Sequence, residues 1–173
     1  MIIVSKCPAD LPQEQLERIV NEIAPQPYQQ MFFTSINYME LQDLGGKAVD
    51  TVIDDDTTVF LLTGIANARP LVSHIKKQTL HVIHHNYPDH HQFSLKNITK
   101  LADDFAACTS QKKVIITTEK DAQRLEEQEL LPLVKKLPIL VLPIGVSFLH
   151  HGQEFNEIVT DYVRKYREHY PVY

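Results

Sequence analysis

Thr58-Val59-Phe60-Leu61-Leu62-Thr63-Gly64 is an apolar run closed by a glycine, and Ile65-Ala66-Asn67 leads on from it toward Pro70. The run has the length and composition of a strand that is buried on both faces. Asn67 is a residue type that caps helices and Pro70 suits a first helical turn, so the sequence predicts a helix with its inner side formed by Leu71, Val72 and Ile75. A strand, a tight turn and a helix in this order indicate an α/β protein.

The same alternation of apolar strands and amphipathic helices continues along the chain. Further helices are predicted after Asp10, Ser94 and Thr118, and further strands over residues 1–5, 31–36, 79–84, 114–117 and 137–142. Such repeated units imply right-handed crossovers and a three-layer, Rossmann-like fold with a mostly parallel sheet flanked by helices. A last helix over 154–169 is predicted to bury Phe155, Ile158, Val159, Tyr162, Val163 and Tyr166. We expect a single α/β domain over residues 1–173.

Two regions depart from this regular alternation. Residues 37–56 contain Gly45-Gly46 and the acidic run Asp54-Asp55-Asp56, which predicts a small irregular β excursion with a short strand over 48–53. The opening run Met1–Ser5 has the composition of a strand buried on both faces. A chain seldom begins in the middle of a core, so either the N-terminus is naturally short or the sequence is the later part of a longer protein.

Composition and charge restrict the classes of partner. The 173 residues are 43% hydrophobic with a formal net charge of -5, and the Lys-Lys pairs are scattered along the chain, so no basic stripe is predicted and nucleic acid is not expected as a partner. The two cysteines, Cys7 and Cys108, form no pairing or zinc motif and favour a reducing compartment, with the cytosol as the default. No apolar run reaches the roughly 18 residues that span a bilayer, and no signal-like start is present, so we expect a soluble chain.

Two polar clusters lie where predicted strands end. One is Asn86 to Phe93, with the sequence Asn-Tyr-Pro-Asp-His-His-Gln-Phe, and the other is Thr117 to Ala122, with the sequence Thr-Thr-Glu-Lys-Asp-Ala. Ligands of α/β proteins bind at the carboxyl ends of strands, so we expect both clusters to face one cleft. The sequence has only five glycines and lacks the Gly-x-x-x-x-Gly-Lys-Ser/Thr loop that holds nucleoside triphosphates.

The first cluster is rich in histidine and allows three interpretations. His84, His85, Asp89, His90 and His91 are of ligand type, which suggests a metal, but adjacent side chains of a strand point in opposite directions and no metal-binding spacing closes around them. We therefore predict no metal site here. Asp89 and His90 then either act as a unit, in which the carboxylate orients an imidazole for proton transfer or phosphate contact, or form a simple turn capped by Asp89.

The second cluster has the spacing of a helix cap. Thr118 and Asp121 match a capping box, but Lys120 would lie in the first helical turn, where the helix dipole opposes a cation unless an anion is near. Glu119 or a bound phosphate would supply that anion. The turn from Gly64 to Asn67 offers a third set of contacts, because free amides at a helix N-terminus bind anions.

Taken together, these loops resemble a known family. The order Leu-Thr-Gly-Ile-x-Asn, then Tyr-Pro-Asp-His-His-x-Phe-Ser, then Val-Ile-Ile-Thr-Thr-Glu-Lys-Asp-Ala-x-x-Leu resembles the C-terminal half of tetraacyldisaccharide 4'-kinase, an enzyme of lipid A and hence lipopolysaccharide biosynthesis in Gram-negative bacteria. The opening Ile-Ile-Val-Ser-Lys-Cys-Pro is similar to the Val-Thr-Lys strand of that family. The resemblance runs from Met1 to about Leu142, and the final helix is generic.

The resemblance implies a P-loop-kinase-like fold and a defined reaction. ATP, with Mg²⁺, would phosphorylate the 4'-hydroxyl of a tetraacyldisaccharide 1-phosphate, at the inner membrane surface and on its cytoplasmic side. By analogy His90 would assist the catalytic aspartate or contact the nucleotide, and Asp89 would orient His90. The same cleft would be lined by Lys6, Gly64, Asn67, Thr118, Glu119, Lys120 and Asp121.

This chain departs from the family in one important respect. The phosphate-binding loop, the Mg²⁺ carboxylates and the proposed base of the family lie upstream of the matching region. We therefore expect the isolated chain to be inactive and to be the C-terminal part of a longer kinase. Two alternatives stay open, a stand-alone flavodoxin-like ligand-binding module and a histidine-based metal-binding protein.

Overall fold

The computed structural model describes residues 1–169, which contain seven strands and six helices. In chain order these are β1 (Ile2–Cys7), α1 (Gln13–Ile23), β2 (Met31–Tyr38), β3 (Thr58–Thr63), α2 (Arg69–Lys76), β4 (Val82–Asn86), α3 (Leu95–Ala107), β5 (Lys113–Thr117), α4 (Glu119–Leu125), α5 (Leu131–Val134), β6 (Ile139–Val141), β7 (Ile144–Phe148) and α6 (Gly152–His169).

The described residues form two compact units. The first contains residues 1–37 and continues from Gly145, and the second is Tyr38–Ile144. The expectation of one domain over residues 1–173 stays a prediction, and its last residues, 170–173, lie outside the described ones.

The second unit is the α/β sheet that the sequence predicts. Its four strands lie in the order β4-β3-β5-β6, and each neighbouring pair is parallel. Successive residues of the fully buried β3 face opposite sides, because side chains alternate along a strand. Phe60 and Leu62 pack with residues of α3, α4 and α5, whereas Val59 and Leu61 pack with Leu71 and Ile75 of α2 and with other buried residues. The predicted three-layer arrangement with a mostly parallel sheet is therefore confirmed.

The first unit holds a smaller sheet in the order β1-β2-β7, in which β1 and β2 are parallel. The prediction that the opening strand is buried on both faces is wrong, because β1 lies at the edge of this sheet and Ile3 is 47% exposed. The prediction for α6 is also wrong along most of its apolar face. Phe155 packs on Phe32 and Phe148, but Tyr162 is 71% exposed, and Val159, Val163 and Tyr166 are exposed too.

One predicted strand of the second unit is absent, and another begins later than expected. The strand predicted over 48–53 is absent, since Ala48 forms only an isolated bridge to Gln42 and the following residues have no regular pairing. β4 begins at Val82 rather than Thr79. The hydroxyl of the buried Thr79 donates to the Thr57 carbonyl oxygen at 2.7 Å and accepts from the His81 amide at 3.1 Å, so it holds a turn instead of joining the strand.

Candidate functional site

The two polar clusters meet at the carboxyl edge of the second unit's sheet. β4 and β5 flank β3, so the loops that follow them are about 10 Å apart, a gap that a lysine and an aspartate side chain can bridge together. The Lys120 ammonium donates a hydrogen bond to Asp89 Oδ1 at 3.2 Å. Lys120 lies in the first turn of α4, and Asp89 is thus the anion that compensates its charge. Glu119 instead accepts a hydrogen bond from the Ile144 amide at 3.4 Å.

Asp89 and His90 form a local pair on the exposed side of this contact. The His90 amide donates to Asp89 Oδ1 at 3.0 Å, and His90 Nε2 lies 3.5 Å from Asp89 Oδ2. Partial desolvation raises the pKa of Asp89, but the hydrogen bond from Lys120 and the charges of His90 and Lys120 outweigh it, so the pKa is lowered from its ordinary value. Asp89 is therefore an ionised carboxylate at neutral pH.

The backbone at His90 has an unusual conformation. His90 has φ of 59°, in the left-handed region, where histidine is one of the better tolerated residue types. Its side chain is 76% exposed. The turn presents an imidazole to solvent next to an ionised carboxylate, an arrangement suited to holding or passing a proton.

Asp121 organises a buried polar cluster beneath this surface. Its side chain is 0% exposed, and Oδ2 accepts hydrogen bonds from the Gly64 amide at 3.1 Å and from the Thr118 hydroxyl at 2.9 Å. Arg124 Nη1 donates to Asp121 Oδ1 at 3.0 Å and to the Gly64 carbonyl oxygen at 2.9 Å. Gly64, Thr118 and Asp121 thus tie the end of β3 to the start of α4, and their roles as ligand contacts stay predictions.

The cluster leaves little room for a side chain at Gly64. A Cβ atom there would lie 3.2 Å from Asp121 Oδ1, 3.3 Å from Arg124 Nη1 and 3.5 Å from His91 Cβ. A Cβ atom would therefore crowd the groups that join β3 to α4, which would have to shift by a few tenths of an ångström.

The remaining histidines of the first cluster point to different places. His84 Nε2 contacts the Thr63 hydroxyl at 2.8 Å, whereas His85 is buried on the other face, with Nε2 3.4 Å from Asp104 Oδ2. His91 stacks on Tyr87 and contacts Asn97 Oδ1 at 3.0 Å. Within residues 1–169 no three His, Cys, Asp or Glu side chains gather as a metal site, so the alternative of a histidine-based metal-binding protein has no support.

A cleft of about 830 Å³ lies beside Asp89, between α2 and β4. The loop after β3 lines it with Asn67, whose Oδ1 accepts a hydrogen bond from the Arg69 amide at 3.1 Å. Asn67 was predicted to be the N-cap of this helix. The helix begins at Arg69 with Ala68 as its N-cap, so Asn67 precedes the N-cap by one residue and still bonds to the first turn. Arg69 and Lys76 form part of the α2 wall, and His84, Asn86 and Asp89 lie along the β4 side.

Comparison with known proteins identifies the family. The sequence profile of Tetraacyldisaccharide-1-P 4'-kinase matches residues 1–164. This chain belongs to the tetraacyldisaccharide 4'-kinase family. The resemblance is thus confirmed. It extends beyond Leu142 to residue 164, so the expectation that α6 lies outside the resemblance is wrong.

Curated kinases of this name match nearly the whole chain. The Phocaeicola vulgatus kinase is 37% identical over 95% of this chain and 46% of its own length. The kinase of Parabacteroides distasonis is 34% identical over 99% of this chain and 48% of its length, and that of Bacteroides thetaiotaomicron is 32% identical over 95% and 46%. The chain therefore spans about half the length of the curated relatives it matches.

A solved structure shows the same fold. It is the "apo" form of LpxK from Aquifex aeolicus in complex with ATP, with a TM-score of 0.50 and 14% identity over 92% of this chain and 51% of that chain. This likeness supports the fold alone. The comparisons give no support to a stand-alone flavodoxin-like module.

Two further observations concern the predicted site of this kinase-family chain. Lys6 lies in the first unit, with φ of 62° at an irregularity of β1, so its place in the cleft stays a prediction.

Sequence reasoning missed Arg124, Arg69 and Lys76. Arg124 lies three residues after Asp121 on α4, and Arg69 and Lys76 are seven residues apart on α2, so their helical spacing was the available signal.

Among residues 1–169, no helix combines the length and the apolar content needed to cross a membrane.

Proposed function

We propose that this chain is the C-terminal part of a tetraacyldisaccharide 4'-kinase. In this proposal the complete enzyme transfers the γ-phosphoryl group of ATP to the 4'-hydroxyl of a tetraacyldisaccharide 1-phosphate at the cytoplasmic face of the inner membrane. The family match over residues 1–164 and the coverage of 46% of the Phocaeicola vulgatus kinase support it.

The observation that carries the role of this chain is the contact of Lys120 with Asp89, beside His90. In the reaction a bond forms between the sugar oxygen and the γ-phosphorus, the bond from that phosphorus to the β–γ bridging oxygen breaks, and ADP leaves. The hydroxyl proton must pass to a base. His90 holds an imidazole where it can accept a proton or contact a phosphate oxygen, and the ionised Asp89 orients that ring.

Lys120 has two functions in this scheme. It fixes Asp89 through the ion pair, and its charge adds to the positive potential that attracts phosphate groups. Glu119 holds the Ile144 amide, and Asp121, with Thr118 and Gly64, keeps the end of β3 and the start of α4 together. These contacts preorganise the loops, which suits phosphoryl transfer because that reaction depends on positioning and charge stabilisation.

Mg²⁺ is part of the proposed reaction of the complete enzyme. Within the described residues 1–169 no three His, Cys, Asp or Glu side chains gather as a metal site, and no step is assigned to this chain through the metal.

Sequencing the gene upstream of the Met1 codon is the first test. An open reading frame that encodes a glycine-rich loop with Lys-Ser or Lys-Thr supports the proposal, and a start signal with no such loop contradicts it. The longer protein then allows the test of His90. Replacing His90 with Asn, which also tolerates the left-handed backbone, should lower kcat by about 10²-fold or more.

His81→Asn is the matched control, because His81 is exposed and precedes the other end of β4. An unchanged kcat in His90→Asn, with His81→Asn also unchanged, would remove His90 from the reaction.

A further inference from the structure

The α2 wall of the cleft carries two exposed cations, Arg69 and Lys76. Arg69 and Lys76 are seven residues apart, so they lie on nearly the same side of the helix and about 10 Å apart along its axis. Both are exposed, and neither forms an ion pair with any residue of the described range 1–169. The cleft thus presents two cations that no anion among residues 1–169 neutralises.

The strand side of the cleft supplies polar groups rather than competing anions. The Thr63 hydroxyl donates to Asn86 Oδ1 at 3.2 Å and contacts His84 Nε2 at 2.8 Å. Because the oxygen of Asn86 is used in this way, its amide nitrogen remains as a donor with no partner in the described part of the chain. Burial lowers the pKa of His84, so its ring is a neutral polar group of the lining.

The start of α2 adds to the positive character of the cleft. Its first turn contains no acidic residue, and Asn67, Ala68 and Arg69 all line the cleft. The oxygen of Asn67 is occupied by the Arg69 amide, which leaves the Asn67 side-chain amide as a donor. Asp89 is the one carboxylate among the lining residues, and Lys120 already pairs with it.

We propose that Arg69 and Lys76 bind a phosphate ester in this cleft. A guanidinium binds phosphate oxygens through two parallel hydrogen bonds and an ammonium acts as a point charge. The spacing of about 10 Å along α2 suits a ligand with two anionic groups, or one phosphate and a polar sugar, better than a single inorganic phosphate. The volume of about 830 Å³ lies within the range of sites for small molecules.

Which phosphate ester occupies the cleft is a question that rests on the proposed function. A nucleotide polyphosphate and the 1-phosphate of a disaccharide lipid share the chemistry that this cleft recognises, and the test separates them. The binding site itself follows from the charges and the lining of the cleft, so it can be tested without kinase activity.

The experiment is a titration of the 173-residue chain, followed by NMR of backbone amides, with ATP in the absence of metal and with glucosamine 1-phosphate as separate probes. We expect at least one probe to shift amides of residues 65–69 and 84–89. The double variant Arg69→Gln/Lys76→Gln should weaken that binding 10-fold or more. The matched variant Arg18→Gln/Lys77→Gln removes the same charge outside the cleft and should change the dissociation constant by less than two-fold.

Tighter binding of ATP assigns the cleft to the nucleotide, and tighter binding of glucosamine 1-phosphate assigns it to the sugar phosphate. Absence of binding by both probes, or equal weakening in the two double variants, would overturn the proposal. If the cleft double variant fails to fold, the single variants Arg69→Gln and Lys76→Gln replace it, each with an expected loss of three-fold or more. Binding that persists while the complete enzyme lacks kinase activity would count against the proposed function and leave this site intact.

Discussion

The Lys120 ammonium lies 3.2 Å from Asp89 Oδ1, although the two residues are 31 positions apart in the sequence. The contact joins the loop after β4 to the first turn of α4, across the carboxyl end of β3. It places a cation where the helix dipole opposes one, and the Asp89 carboxylate compensates that unfavourable interaction. The proposed role of His90 depends on this contact because, in that proposal, Asp89 also orients the His90 ring.

The first prediction concerns the charge of Asp89. In the variant Lys120→Gln the pKa of Asp89 should rise toward its ordinary value, because the hydrogen bond and charge of Lys120 that lower it are lost. The measurement is an NMR titration of side-chain carboxyl carbons. Lys77→Gln, which neutralises a lysine outside the site, should leave the pKa of Asp89 unchanged. A curve for Asp89 that is the same in Lys120→Gln and in the parent chain would contradict the ion pair.

The second prediction concerns the buried cluster around Asp121. Asp121→Ala should reduce the free energy of unfolding by about 3–5 kcal/mol, because the Arg124 guanidinium and the Gly64 amide lose their partner in a buried site. Urea denaturation monitored by circular dichroism measures this change. Asp103→Ala, on the exposed side of α3, should stay within about 0.5 kcal/mol of the parent. Equal effects of the two substitutions would show that Asp121 is not the centre of this cluster.

A third prediction tests the close approach at Gly64. Gly64→Ala should destabilise the chain by about 1–3 kcal/mol, because the new methyl group would crowd Asp121, Arg124 and His91. Gly45→Ala is the comparison, since a Cβ there meets only the Asp43 carboxylate, in an exposed loop. The same denaturation assay should show the smaller loss for Gly45→Ala, and the reverse order would contradict the packing described here.

The fourth prediction is a loss of stability in mild acid. Burial lowers the pKa of His74, His84 and His85, and for His85 it outweighs the raising effect of Asp104. A histidine with a lowered pKa in the folded state stabilises the fold above its unfolded pKa of about 6.5, and this contribution is lost as the pH falls through the folded pKa. The free energy of unfolding should therefore decrease as the pH falls below about 6.5.

Denaturation curves collected from pH 7.5 to pH 5 measure this slope. His85→Gln should make it shallower, because one of the buried titrating groups is removed. A slope that does not change in His85→Gln would exclude His85 as a contributor.

The fifth prediction concerns the isolated chain. No phosphorylated lipid product should form when the purified 173-residue chain is incubated with ATP, Mg²⁺ and the disaccharide lipid, because the sequence has no Gly-x-x-x-x-Gly-Lys-Ser/Thr loop. A radiolabelled phosphate transfer assay tests this, with a complete relative such as the Phocaeicola vulgatus kinase as positive control. Product that requires His90 in the isolated chain would contradict the prediction.

Much of the fold could be predicted from the sequence, because its signals act over short distances. The apolar run of β3 was predicted to be a doubly buried strand, and it is one, although the same inference was wrong for β1. Ser94 and Thr118 both cap the helices that follow them through local hydrogen bonds. The order of strand, loop and helix also places both polar clusters at the ends of strands. The paired His84 and His85 were expected to point in opposite directions, and they do, since they follow each other in β4.

Other features depend on contacts between distant parts of the chain, and only the tertiary structure decided them. Hydrophobic spacing in α6 predicts an apolar face, but whether that face is covered depends on neighbouring elements, and Tyr162 lies exposed. Asp121 could be recognised as a capping residue, whereas its bond to Gly64 needed the register between strands. The sequence by itself thus determined most of the helices and strands, though not α5 or β7, and the family, through local periodicity and motif order. The tertiary structure decided that Lys120 meets Asp89 and that Arg69 and Lys76 line one cleft with Asn86, because these relationships arise only when parallel strands bring their ends to one edge of a sheet.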